Sequence, residues 1–158
     1  YSNNIEISMQ LLSAGADIEL GGRTSPLHMA AYYGHVDMLK NLLTHGANPN
    51  VVRANSTPLL LAAGNGNFES VQLLLDAGAN PNFRTSFGGT ALFDAVGAFR
   101  VAPPKPGEQE RALKVVKLLV QHGANVNAKT GGQSALQRAR ALSESAIVEF
   151  LTVAGATQ

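Results

Sequence analysis

Apolar residues come in two kinds of burst along this chain, and the bursts alternate. Between Thr57 and Asn82 the first burst is narrow, with Leu59, Ala62 and Ala63 on one helical face, and Gly64-Asn65-Gly66 ends it. The second is broader. Phe68, Val71, Leu74 and Leu75 recur at three- and four-residue steps, the signature of an amphipathic helix. Thr57 is placed to cap the first helix, and Pro58 stands in its first turn, where a missing N–H costs nothing. Gly78 suits a left-handed position closing the second helix, and Asn80-Pro81-Asn82 leads into an extended joint. The stretch predicts two short helices pinched together, followed by a turn.

Imperfect copies of this unit occupy the rest of the chain. A Gly-Ala pair closes each one, at Gly15, Gly46, Gly78, Gly123 and Gly155, with spacings of 31, 32, 45 and 32 residues. A Ser/Thr-Pro/Ala-Leu opening begins at Ser25, Thr57, Thr90 and Ser134, and the distance to the closing glycine is 21, 21, 33 and 21. A constant internal register with variable joints is what stacked helix pairs require. The fourth unit carries the 12 extra residues.

Residues 24–50, TSPLHMAAYYGHVDMLKNLLTHGANPN, carry Ser25-Pro26-Leu27-His28, Gly34-His35 and Leu42-Leu43 in a pattern that resembles the ankyrin repeat family. The resemblance covers essentially the whole chain. It implies an all-α solenoid of stacked antiparallel helix pairs with β-hairpin-like fingers projecting at about a right angle. Residues 1–158 then form one domain: a partial repeat over 1–20, repeats over 21–52 and 53–84, an interrupted repeat over 85–129 with an insertion at about 98–109, and a capping repeat over 130–158. Function in this family is protein binding through the finger tips and the concave helical face. His28 would take the family role of hydrogen bonding between turns; its counterparts are Leu60, Phe93 and Gln137.

Taken in order, the first unit shows only its second helix, Ile5 to Ala14, and the chain does not begin with Met, so sequence is expected upstream of Tyr1. In the fourth unit, Pro103-Pro104-Lys105-Pro106 excludes helix, and the second helix is expected to resume near Glu110. The last unit mixes Arg138, Arg140, Glu144 and Glu149 into its helices, the polarity of a C-terminal cap that would end the fold.

Composition narrows the function classes. The 158 residues are 45% apolar and 15% charged, with 12 basic and 11 acidic side chains for a net charge of +1. That balance argues against nucleic acid and polybasic membrane partners. Without cysteine there are no disulfides and no thiolate metal sites or nucleophiles. His28, His35, His45 and His122 form no metal-ligand spacing, the glycines form no phosphate loop, and no serine sits in a nucleophile elbow. No catalytic, cofactor or metal residues are therefore assigned, and an intracellular monomer binding another protein is expected, with a secreted effector as the variant.

The family pattern directs the positions before each opening and at the end of each first helix into the groove. Those selected for partner binding are Tyr32, Tyr33, Arg53, Asn65, Phe87, Phe99 and Arg100. Tyr and Arg suit interface anchors because they bury large area yet keep a polar handle. Two readings stand for the aromatics: cover for neighbouring helices or loops, or contact with a partner. The resemblance also implies that Asn50, Asn82 and Asn127 occupy the joint position that can be hydroxylated, each with a leucine eight residues before. Two other roles are compatible with the sequence: a regulatory or targeting domain of a larger enzyme, channel or effector, and a small-molecule-binding groove.

Overall fold

The computed structural model describes residue 18, residues 22–97 and residues 107–157. Phe99, Arg100 and the helix expected over Ile5 to Ala14 lie outside the described residues. Among the described residues, eight helices occur in four consecutive pairs: α1 (Pro26–Tyr33) with α2 (Val36–Thr44), α3 (Pro58–Gly64) with α4 (Phe68–Asp76), α5 (Ala91–Val96) with α6 (Glu108–Gln121), and α7 (Ala135–Ala141) with α8 (Ser145–Val153). Each first helix packs on the next first helix, and each second helix on the next second helix. The result is a two-layer solenoid of helix pairs, mostly helical as expected.

The first helices begin where side-chain caps occur. Thr57 Oγ1 accepts from the Leu60 N–H at 3.3 Å, and Thr90 Oγ1 from the Phe93 N–H at 3.2 Å. Ser134 and Gln137 form a reciprocal box, Oγ accepting the Gln137 N–H at 3.2 Å and Oε1 accepting the Ser134 N–H at 2.8 Å. Alanine then sets the spacing of the inner layer. Ala31, Ala62, Ala63, Ala95 and Ala139 are fully buried, so neighbouring backbones approach closely. Leu39, Val71, Leu74, Val115, Val116, Leu119 and Leu151 fill the space between layers. This one continuous core runs the length of the described repeats.

The interrupted repeat is distinguished by the length of its second helix. Its second helix starts at Glu108, two residues before the Glu110 near which it was expected. Gly107 has φ 83°, a left-handed turn into the helix, and Glu108 and Glu110 place negative charge on the first turn, where the helix dipole favours it. At 14 residues α6 exceeds the nine-residue α2, α4 and α8. Part of the insertion is therefore helix, supported on its exposed face by a Glu110–Lys114 pair at 2.9 Å. That pairing lowers the Glu110 pKa.

Candidate functional site

Two rows of side chains sit at opposite ends of the first helices. One lies on the joints that precede those helices. Arg53 and Ser56 exchange backbone hydrogen bonds of 3.0 and 2.9 Å around Ala54 and Asn55, both left-handed. Thr85 and Gly89 close a second tip, and the strands β1 (Lys129–Thr130) and β2 (Gln133–Ser134) form a third, antiparallel around Gly131-Gly132. Positive φ at both glycines gives the turn that two-residue hairpins need. The fingers are bonded in series. Asn55 Oδ1 accepts from the Ser86 N–H at 3.0 Å and Asn55 Nδ2 donates to Ser86 Oγ at 2.7 Å. Arg84 Nη2 donates to the Lys129 carbonyl at 2.7 Å, and Thr130 Oγ1 to the Gly88 carbonyl at 3.0 Å. Phe87 stands at the middle tip with 85% of its surface exposed, so it does not pack beneath its loop. Arg53 is half-buried.

The other row lies where the first helices end, about 12 Å away for an eight-residue helix at 1.5 Å per residue. Tyr32 and Tyr33 are 44% and 59% exposed, so about half of each residue's surface is uncovered. Their rings meet edge to face at 5.0 Å, and Tyr33 stacks on His35 at 5.7 Å. Asn67, a residue that sequence reasoning passed over, donates from Nδ2 to the carbonyls of Ala31 and Tyr32, both at 2.9 Å. It ties this helix end to the next repeat. Asn65 turns back on its own helix, donating to the Leu61 carbonyl at 2.8 Å. The residues selected from the sequence thus divide between the rows, with Tyr32, Tyr33 and Asn65 in one and Arg53 and Phe87 in the other.

Toward the C-terminal end, Arg138 reaches back from α7 to cover the end of α5 at Gly97. The Arg138 guanidinium lies 4.3 Å from the Phe93 ring centre, and its Nη1 donates to the Phe93 carbonyl at 3.0 Å. It also stands 3.9 Å from Asp94. Burial raises the Asp94 pKa above 3.8, and the Arg138 charge partly offsets that rise. A Cβ on Gly97 would collide with this guanidinium, so glycine is what lets Arg138 lie down. The sequence placed Arg138 in the polar skin of a cap, whereas the structure folds it inward over the preceding repeat.

Polar side chains at the joints bind one repeat to the next. His28 Nε2 lies 3.2 Å from the Ser56 carbonyl. A carbonyl only accepts, so Nε2 carries the proton, and Nδ1 faces Ser25 Oγ at 2.9 Å as an acceptor. Asn50 Nδ2 donates to the Gly78 carbonyl at 2.9 Å while its Oδ1 accepts the Asn80 N–H at 2.7 Å. Asn82 repeats the clamp on Gly123 and Asn125, and Asn127 on Gly155 and Thr157. The Asn-x-Asn recurring at 48–50, 80–82 and 125–127 was the signal for it. Each clamp satisfies a helix-closing carbonyl that would otherwise depend on water.

A family model described as Ankyrin repeats (3 copies) matches residues 1–85 and 27–101, and one described as Ankyrin repeat matches residues 87–131. The chain belongs to the ankyrin repeat family. Over 48 residues, 30% of this chain, it is 42% identical to the E3 ubiquitin-protein ligase hecd-1 of Caenorhabditis elegans, and that stretch is 2% of the ligase. Ankyrin repeats are in general protein–protein interaction modules without catalytic chemistry of their own. Among the described residues no three His, Asp or Glu side chains gather as a metal site, and no helix is long and apolar enough to cross a membrane.

Proposed function

We propose that this ankyrin domain docks a partner protein across its concave side, as a non-catalytic intracellular adaptor or binding inhibitor acting as a monomer. The observation that carries the reading is the exposure of three large aromatic side chains, Tyr32, Tyr33 and Phe87, on a scaffold whose repeats are otherwise bonded to each other. Aromatic rings of this kind supply large contact area at little cost in rotamer entropy. Arg53 adds a cation in the finger row, and Phe99 and Arg100, outside the described residues, are retained in the proposal from the sequence pattern alone. In hecd-1 the similar stretch belongs to a far longer protein, which supports a regulatory or targeting domain within a larger chain as a second setting for the same docking. Hydroxylation of Asn50, Asn82 or Asn127 is part of the proposal: all three are exposed at the joints, with their amides engaged. Co-expression with an asparaginyl hydroxylase and mass spectrometry would show the gain of one oxygen, and an unmodified mass would remove the assignment.

The test of docking is quantitative capture of proteins from a cell lysate by the wild-type chain, by Tyr32→Ala with Tyr33→Ala, and by Phe87→Ala. Loss of the same partner in the aromatic variants, with helical circular dichroism unchanged, is the expected result. A partner retained by both variants would move docking away from these rows.

A further inference from the structure

Charge is segregated in this molecule although its net value is small. From Gly46 to Thr57, Gly78 to Thr90 and Gly123 to Ser134 there is no Asp or Glu, and each segment carries one cation: Arg53, Arg84 and Lys129. The acids of the described residues lie instead on the helices or their caps. Asp37, Glu69, Asp76, Glu110 and Glu149 belong to second helices. Among the described residues the ion pairs are Glu110–Lys114, Asp76–His122 and Asp94–Arg138, so no carboxylate there lies within pairing distance of the three finger cations.

Two of these cations are held in place, Arg53 by donating to the Val52 carbonyl at 3.3 Å and Arg84 by a bond to the next finger. Arg84 donates one N–H to the Lys129 carbonyl, keeping other guanidinium donors for a ligand, and it lies against Gly88, where a Cβ would come within 3.1 Å of Nη2. Asn55 couples the Arg53 finger to the Arg84 finger through Ser86. Stacked helices stand about 8–10 Å apart, and the fingers inherit that step. An extended chain covers the same distance in about three residues. A row of cations at that step, without carboxylate partners among the described residues and with exposed Phe87 among them, matches an extended chain bearing carboxylates and apolar groups.

We propose that the finger row binds an acidic, extended segment of a partner protein, its carboxylates on Arg53, Arg84 and Lys129 and an apolar side chain on Phe87. This rests on the docking function proposed above and specifies the chemistry of its partner. Three cations on a chain of net charge +1 make a short carboxylate-bearing peptide a better match than a polyphosphate backbone.

The probe is a fluorescein-labelled, proline-rich peptide of about a dozen residues with glutamate at every third position, since proline holds the chain extended. Fluorescence anisotropy would compare it with its lysine counterpart and with an oligothymidine of equal charge. Binding of the glutamate peptide alone is expected, weakening as salt shortens the Debye length. The variant Arg53→Glu, Arg84→Glu, Lys129→Glu should weaken it at least roughly tenfold, because like charges now face each other. The control Lys40→Glu, Lys114→Glu, Lys117→Glu makes the same charge change on the second helices and should stay within about twofold. Arg53→Gln, Arg84→Gln, Lys129→Gln keeps polar reach and should weaken binding even if the reversed variant fails to fold.

Equal loss in the control, equal binding of the lysine peptide, or tighter binding of the oligothymidine would overturn the proposal. No binding of the glutamate peptide, alongside lysate capture that still depends on Tyr32 and Tyr33, would overturn the acidic partner and leave docking intact. If that capture is also independent of the aromatic residues, both readings fall.

Discussion

The place where a first helix ends has opposite fates in two repeats. In the repeat containing α1, Tyr32 and Tyr33 point outward with about half their surface uncovered. At the end of α5 the equivalent residue is Gly97, and Arg138 of the next repeat lies over it, stacked on the Phe93 ring, bonded to the Phe93 carbonyl and 3.9 Å from Asp94. The surface at the second place is covered from within; at the first it is left open. Groove position alone therefore does not make a binding residue. What matters is whether the neighbouring repeat already satisfies the side chain.

Both halves hang on one core, so its truncation sets the scale for any test of that difference. Leu74→Ala should cost about 2–5 kcal/mol, measured by chemical denaturation. A loss no greater than that of a surface control would break the register from which the two halves are compared. Arg138→Ala should come next, at about 1–3 kcal/mol, because it leaves the Phe93 carbonyl and the half-buried Asp94 without their charged partner. Partner affinity should stay unchanged. Lost affinity at unchanged stability would mean that the C-terminal end of the row docks as well.

Asp94 offers a finer probe of the closed end. Burial raises its pKa above 3.8, so between the unfolded and folded values the native state holds the extra proton. Stability from this group is then largest below that window and falls as pH rises through it. Asp94→Asn should flatten that part of the thermal midpoint against pH. An unchanged slope would show that Asp94 is not desolvated by the Arg138 cluster. The smallest effect on stability, about 0.5 kcal/mol or less, is expected for Tyr32→Ala with Tyr33→Ala, because the lost surface was never fully buried. A large loss would mean that the tyrosines cover helices, and the contrast between the two ends would disappear.

Much of the fold was legible because its signals are local. Thr57, Pro58 and Gly78 act within one helical turn of themselves, and the spacing of Val71, Leu74 and Leu75 reports a buried face directly. The start of α6 was legible to within two residues, because the prolines end at Pro106 and the left-handed Gly107 and two first-turn glutamates act locally. The candidate surface was legible in part. Tyr32, Tyr33 and Phe87 were identified as groove positions, but whether they were covered depended on side chains elsewhere. The clamps of Asn50 and Asn82 and the inward fold of Arg138 join residues 28 to 45 positions apart. No single helical period reaches that far.

The repeat register, the helix caps and the class of fold were written in the chain itself, since caps, breaks and apolar periods act through neighbours three or four residues away. Which groove side chains remain available was settled by the stacking of the repeats. That choice depends on hydrogen bonds and ring contacts between repeats, where one residue's partner is set by how the next repeat packs.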